Sequence, residues 1–502
     1  MFVRVAPLFR LPAAKSVFDY EWQSAMMPLI GSCITIPFRG KTAAAIIIDV
    51  LEKSDFKTRP ITVTTELKLL TPYETLWLEH MAQRFQEPVG MMCERMLPPL
   101  LVRTKNSFVR TAAPQTKSRP SLQYAWYKNK DTFFSTLDSI TQKNKTPQLV
   151  VAHSHAAATE IFKYLTEQKL PVFYFDPTSN PLRRAAWNAL VGVQNIKNCI
   201  IVGTQSLLWM PHSNARWIFV EPTHAAHENW NGAAYANRTI LESRAKEFGE
   251  AIIFLAHSPD TAELTRDLHI PTMSLWPTVV DRTAEDPKNR QAPISPYVEE
   301  QIQKNKRVLL LTQHLKEASH IICKDCGRLA PFASLEKSMI CETCGNSNFF
   351  SIGLGGMHLK NAITKIDTTA REIYLVDAKN AEQFSTTVDL EKSCIVIATS
   401  ATFDTIPLAS FDTIIDLATD TEFKFPTYNT EERVWKFLRA IASRLPQNWA
   451  GTWLVETRHP ERAAWQVRDA EGFTRWWNEE KPLRERFGQP PFGSVEQRQQ
   501  IV

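Results

Sequence analysis

The sequence predicts an α/β protein with two parallel-sheet lobes in tandem, the second interrupted by a small metal-binding insert, and with a β-rich region ahead of them. Three observations carry this. Short apolar strands alternate with amphipathic helical stretches over residues 122–278 and again after residue 306, the texture of parallel sheets covered by helices. Two Cys-x-x-Cys pairs break the second stretch. The first 104 residues run instead as brief strands separated by turn signals. A chain of 502 residues exceeds what one core can serve, so about three or four domains are expected.

Taken in order, the N-terminal region 1–104 opens with strands such as "SCITIPF" and "AAAIIIDV" flanking Arg39-Gly40-Lys41. Apolar residues at helical spacing follow in "ETLWLEHMAQRF", and "PVGMMCERMLPPL" ends at a proline stop. Residues 105–121 carry Lys105, Arg110, Lys117 and Arg119 without an acid, and read either as a plain linker or as a basic strap for phosphates. The first lobe spans 122–278, with strands "QLVVAH", "VFYF", "CIIVGT", "RWIFVE" and "AIIFLAH". Residues 279–318 form a polar, proline-bearing linker and the start of the second lobe, 319–350 the cysteine insert, 351–460 the rest of that lobe, and 461–502 a charged C-terminal region.

Net charge is +5, and residues 1–120 hold 16 basic against 10 acidic side chains. That local surplus fits a polyanion partner or merely a solvated surface. No run of uncharged apolar residues is long enough for a membrane helix, and the N-terminus lacks the apolar stretch of a secretory signal. A cytoplasmic protein with no membrane partner is expected.

Cys33, Cys93, Cys199 and Cys394 lie in apolar surroundings and read as buried small hydrophobes. Cys323, Cys326, Cys341 and Cys344 are different. Fourteen residues separate the two Cys-x-x-Cys pairs, and Gly327 and Gly345 follow each pair. Four thiolates in this spacing predict one structural Zn2+ with no open position for a substrate.

Gly40-Lys41-Thr42 mimics the end of a phosphate-binding loop, but the motif needs glycine at position 35, where Thr35 stands. In the first lobe that loop belongs after the first strand, where "YAWYKNKDT" stands, and no glycine occurs between Gly90 and Gly192. Lys128 and Lys130 attract phosphate but form no backbone cradle. The stretch "WIFVEPTHAAHE" places Glu221-Pro222-Thr223-His224 where a phosphate-hydrolysing motor carries paired carboxylates for magnesium and water.

The segments "VFDYEW", "GSCITIPFRGK", "TRPI", "EPVGMMCERMLPPLL", "IIVGTQSLLWMPHSNARWIFVEPTHAAHENW", "IIFLAHSPDTAEL", the cysteine insert and "ERFGQPPFGSV" together resemble the primosomal protein N′ (PriA) family, superfamily 2 helicases of replication restart. The resemblance runs from about residue 1 to residue 500, with the family's C-terminal domain cut short. It implies two RecA-like lobes behind an N-terminal domain that binds DNA 3′ ends. It also implies a dismantled motor. Glu221 and His224 remain of the DEEH box, Arg444 is the remnant of the arginine-finger stretch, and four cysteines stand where the family usually has eight. ATP and Mg2+ are therefore not expected as cofactors.

By the same resemblance, Phe18 stacks on the terminal base, Asp19 accepts the terminal 3′ hydroxyl, and Arg39, Gly40 and Arg59 complete the pocket. Without the resemblance, Phe18 reads as a core aromatic and Asp19 as a turn residue. Trp126, Trp209, Trp217 and Trp230 read as packing residues, with base stacking the alternative. The expected activity is binding of forked, 3′-ended or single-stranded DNA, alongside replication-restart proteins and single-strand-binding protein, without hydrolysis. An active 3′-5′ helicase and a protein assembly platform are the alternatives.

Overall fold

A computed structural model describes residues 1–12, 15–62, 67–97, 121–142, 146–191, 196, 198–211, 214–229, 235–265, 270–286, 292–315, 320–331, 340–352, 355–403, 405–423 and 426–493. Of the expected strap 105–121, residues 105–120 with Lys105, Arg110, Lys117 and Arg119 lie outside them, as does Trp230. The chain forms two compact units: Met1–Ala125 with Leu137–Ala256, and Trp126–Thr136 with His257–Val502. No helix among the described residues is long and apolar enough to cross a membrane.

The first unit begins with a six-stranded sheet of β1 (Phe2–Pro7), β2 (Phe18–Trp22), β3 (Ser32–Phe38), β4 (Lys41–Leu51), β5 (Pro60–Ile61) and β6 (Leu67–Lys68), in the order β5-β2-β1-β4-β3-β6. The hairpin β3–β4 turns at Arg39 (φ 50°) and Gly40 (φ 78°). Two successive left-handed residues match the twist of the flanking strands, which confirms that Gly40-Lys41-Thr42 belongs to a hairpin. Helices α1 (Pro72–Phe85) and α2 (Val89–Met96) follow. A capping box between Thr71 and Glu74 starts α1.

Strand alternation gives this sheet two apolar faces. One gathers Val3, Val5, Tyr20, Trp22, Ile34, Ile36 and Ile47. The other, with Ala6, Ile46, Ile48 and both helices, joins the core of the first lobe. There the indole Nε1–H of Trp77 in α1 donates to Ser243 Oγ at 2.9 Å. The ring of Trp77 also meets the buried guanidinium of Arg244 at 5.4 Å.

The first lobe contains β7 (Ser121–Trp126), α3 (Lys130–Thr141), β8 (Gln148–Val151), α4 (His155–Glu167), β9 (Val172–Phe175), α5 (Asn180–Leu190), β10 (Ile200–Gly203), β11 (Arg216–Val220), the short pair β12 (Glu228–Asn229) and β13 (Tyr235–Ala236), α6 (Asn237–Phe248) and β14 (Ala251–Ala256). Its sheet runs β7-β14-β11-β8-β10-β9, and β8, β9, β10, β11 and β14 pair in parallel. The helices bury their apolar stripes on strands such as β8 and β10 that are buried along their whole length.

The second unit carries β15 (Thr278–Asp281), α7 (Pro296–Lys304), β16 (Arg307–Thr312), β17 (His320–Cys323), β18 (Leu329–Pro331), β19 (Phe349–Ile352), α8 (Gly356–Ile366), β20 (Glu372–Val376), α9 (Ala381–Thr387), β21 (Cys394–Thr399), β22 (Thr413–Asp416), α10 (Thr419–Glu422), α11 (Thr430–Arg444), β23 (Thr452–Thr457) and α12 (Ala470–Phe487). Its main sheet is parallel, ordered β15-β23-β22-β16-β21-β20.

Three expectations shift here. Residues 257–278, read as the end of the first lobe, belong to the second unit. The stretch read as linker holds the edge strand β15 and the helix α7; with Thr278 and Asp281 exposed, β15 offers too short an apolar run to read as a strand. The charged C-terminal region forms α12, whose Phe473 and Trp476 enter the core of this unit.

Candidate nucleic-acid interface and metal centre

On β2, alternation separates the predicted 3′-end residues. Phe18 lies opposite Val5, and Asp19 lies opposite Arg4. Phe18 packs on the apolar core face, edge-on to Phe38 at 5.1 Å, and Phe38 also meets Phe9 at 5.0 Å. The Arg39 guanidinium sits 5.5 Å from the Phe38 centroid. Tyr20 O–H donates to Pro37 O at 2.8 Å. Burial raises the Tyr20 pKa, against the opposing charge of Arg59. Arg59 is exposed, and its carbonyl accepts from Glu21 N–H at 3.0 Å. Phe18 and Arg39 thus both meet Phe38, whereas Arg59 is linked to this group only through the charge it places near Tyr20.

The Asp19 side chain is only 2% exposed. Arg4 donates to it from Nε at 2.8 Å and Nη2 at 3.2 Å, and Ser54 Oγ donates to Oδ2 at 2.8 Å. Burial alone would raise the Asp19 pKa, but the hydrogen bonds from Arg4 and Ser54 outweigh it and hold the carboxyl below its usual range. Nothing local in the sequence marks Arg4 or Ser54 as partners of Asp19. Arg4 stands where strand alternation turns it away from Val3 and Val5, but only the register reveals its partner.

The segment after β7, at the phosphate-loop position, closes on itself. Lys128 N–H and Asn129 N–H both donate to Thr132 Oγ1 at 3.0 Å. Thr132 N–H donates to Asn129 Oδ1 at 2.9 Å, and Phe133 N–H to Asn129 O at 3.0 Å. Asn129 is fully buried. It acts as a helix cap for α3, and four amides that a phosphate cradle would aim outward have acceptors inside the turn.

At the end of β11, Glu221 takes a left-handed backbone (φ 50°), a conformation that costs free energy for a residue with a Cβ. Its carboxylate approaches His153 Nδ1 at 3.8 Å. The His153 and His224 rings lie 4.2 Å apart. His227 is buried behind them, and burial pushes its pKa down to about 3. It is therefore neutral, donating from Nε2 to Val220 O at 2.9 Å and accepting from Asn237 Nδ2 at 3.3 Å. In the sequence "QLVVAH" reads only as a strand, and nothing local marks His153 as a member of this cluster.

Arg444 ends α11 and donates to Ala440 O at 3.0 Å. The arginine buried on this helix is Arg439, whose guanidinium donates to the carbonyls of His257, Pro271 and Arg468, each at 2.9 Å. Desolvation lowers its pKa to about 9. Trp209 and Trp217 are buried packing residues, and Trp126 packs on the core of the second unit.

The four insert cysteines converge: their sulfurs lie within 4.8 Å of one another. Cys323 Sγ is 3.5 Å from Cys344 Sγ, and Cys326 Sγ is 3.6 Å from Cys341 Sγ. Each Cys-x-x-Cys forms the same turn. Gly327 N–H donates to Cys323 O at 2.9 Å, and Gly345 N–H to Cys341 O at 2.8 Å. Gly327 (φ 72°) and Gly345 (φ 74°) supply the left-handed residue each turn requires. Backbone N–H groups of Cys344 and Thr343 favour the Cys341 thiolate and bring its pKa down to about 6. This is a four-thiolate site fit for a structural metal ion. The other four cysteines are buried, with thiol pKa values raised by burial, Cys33 to about 12 and Cys199 to about 11.

Residues 8–98 match the family model of the PriA 3′DNA-binding domain (3′BD). Across 405 residues the chain is 24% identical to the replication restart protein PriA of Rickettsia conorii. The chain is PriA-like. The Rickettsia felis PriA gives 23% over 406 residues, and each alignment covers 70% of this chain. The chain spans about 61% of the length of these curated relatives. Among solved structures, a Saccharomyces cerevisiae Dbp5 variant bound to RNA and ADP–BeF3 is 10% identical, with a TM-score of 0.39, covering 74% of this chain and 90% of that one. In this PriA-like chain Phe18, Phe38, Arg39 and Arg59 fall inside the matched domain, as do Asp19 and Ser54, whereas Arg4 lies ahead of the matched residues.

Proposed function

We propose that this chain binds forked or 3′-ended DNA in replication restart, and that it neither hydrolyses ATP nor unwinds DNA by itself. The observation that carries the reading is the match of residues 8–98 to the 3′ DNA-binding domain, within which Phe18, Phe38 and Arg39 meet. Stacking on Phe18 and Phe38 tolerates any base, and Arg39 and Arg59 pair with phosphate. Asp19 serves the terminal hydroxyl by exchange. The Ser54 hydroxyl, now on Oδ2, occupies the place that a 3′ hydroxyl of the same donor chemistry takes. Arg4 keeps the carboxylate ionised throughout.

The self-closed Asn129–Thr132 turn and Pro222 beside Glu221 support loss of the motor, because phosphoryl transfer rests on positioning and charge stabilisation. Zn2+ is the ion of the four-cysteine site, a structural one, as sulfur donors in tetrahedral number favour it. Replication-restart proteins and single-strand-binding protein are the partners this reading implies.

The test is one titration: a labelled fork with a free 3′ hydroxyl against the same fork ending in 3′ phosphate, with ATP turnover read in the same tubes. Tighter binding to the free end, lost in Asp19→Asn and kept in Ser54→Ala, with no turnover above a Glu221→Ala control, is expected. Equal binding to both ends removes the end-reading role, and turnover above the control removes the claim of a silent motor.

A further inference from the structure

We propose that His153, Glu221 and His224 form a second metal site, a three-ligand centre for a divalent transition-metal ion. One ligand atom from each residue lies within 4.8 Å of the others. The topology explains why they meet. β8 and β11 are parallel neighbours with Val151 opposite Phe219, so His153 and Glu221 each stand two residues beyond paired positions. The turn from Glu221 O to His224 N–H at 2.9 Å then folds His224 back over the same point.

The donor set decides the class of ion. Two imidazoles and one carboxylate suit Zn2+ and its neighbours, whereas Mg2+ prefers oxygen and water. Three protein ligands leave a coordination position for water or another exchangeable oxygen. His153 also lines an open cavity of about 500 Å³ with Asp176, Thr204 and Gln205, which places one ligand of the three beside solvent-accessible space. The left-handed Glu221 is the backbone cost of aiming a carboxylate at two imidazoles. Beside the cluster, His227 and Asn237 hydrogen-bond to each other and His227 to Val220 O, so both His227 ring nitrogens are engaged without drawing on the three ligands. The centre differs from the cysteine insert in donors and in coordination number, and it stands whether or not the chain binds DNA.

The experiment measures metal content and Co2+ absorption on the full chain. Wild type equilibrated with Zn2+ and desalted should hold about two ions per chain, and His224→Ala about one, with the fold checked by circular dichroism. Because outer-shell changes alone weaken metal sites by ~10–100-fold, loss of a ligand should weaken this one more than about a hundred-fold. Substituted with Co2+, wild type should show thiolate charge-transfer bands plus a separate imidazole–carboxylate ligand-field signal. Only the latter should vanish in His224→Ala and in the more conservative Glu221→Gln. Equal metal content in folded wild type and His224→Ala, or Co2+ spectra that coincide, overturns the proposal and leaves a buried histidine–carboxylate cluster.

Discussion

The cysteine insert and the loops at the ends of the lobe strands treat their polar groups in opposite ways. In the insert, four sulfurs converge on a common centre, and the backbone turns present them to it. At the strand ends, donors and acceptors are closed on one another. Asn129 and Thr132 satisfy each other after β7. After β22, Asp416 accepts from Ala418 N–H at 2.8 Å, Thr419 N–H at 3.1 Å and the Thr419 hydroxyl. Asp420 accepts from Thr457 Oγ1 at 2.8 Å and Arg458 N–H at 2.7 Å. Convergent donors ask for a ligand, while reciprocally bonded groups stabilise the fold without one. The His153–Glu221–His224 cluster is a strand-end group that falls on the insert's side of this division.

The largest effect should come from breaking the insert. Its described part is a three-stranded sheet with few buried side chains, so metal binding and folding are one free energy, on the order of 10 kcal/mol for structural zinc. Chelation, or Cys341→Ser, should abolish hydrogen-exchange protection of Cys323, Lys324, Gly327 and Gly345. The core strands β16, β21 and β22 should keep theirs, because their apolar cluster does not include the insert. Protection retained after complete metal removal would mean that the sulfurs meet for reasons of packing alone.

The second effect concerns Asp416, which is fully buried. Burial raises its pKa from 3.8 to about 6, despite the hydrogen bonds from Thr419 and Ala418. The folded state therefore binds the proton more tightly than the unfolded chain does. The stabilisation is complete below pH 3.8 and is lost as pH rises through about 6. A shift of about two units corresponds to about 3 kcal/mol. Asp416→Asn keeps the acceptor for the amides and has no charge to bury. Its stability relative to wild type, from urea unfolding, should rise by up to about 3 kcal/mol between pH 4 and pH 7 and then level off. A flat difference would show Asp416 ionised in the native protein, and the strand end would then hold an unneutralised charge.

How much of this was legible in the sequence depends on the range of the interaction. The β3–β4 hairpin, the two parallel lobes and the grouping of the four insert cysteines follow from local spacing, and the hairpin, the two sheets and the converging sulfurs are present. The closure at Asn129 was readable only as an absence of glycine, because the cap partner Thr132 looks like any helix residue. The Arg4–Asp19 pair and the His153–Glu221 approach depend on which strands lie side by side and in what register. Composition and periodicity carry no register. Likewise β15 is short and half-exposed because it is an edge strand, and so it reads as linker.

The smallest effect tests whether the closed turn after β7 is structure or gate. Thr132→Ala removes the acceptor shared by Lys128 N–H and Asn129 N–H but leaves Asn129 Oδ1 to cap α3. The loss should be about 1 kcal/mol in urea unfolding, the usual size of a capping interaction. A fluorescent ATP analogue should bind the variant no better than wild type, because the chain here still lacks glycine and cannot bend its amides around a phosphate. Nucleotide binding gained on removal of one hydroxyl would reverse the reading of this strand end. The turn would then be a latch over a competent site, and the division between convergent and self-closed groups would describe two states of the molecule.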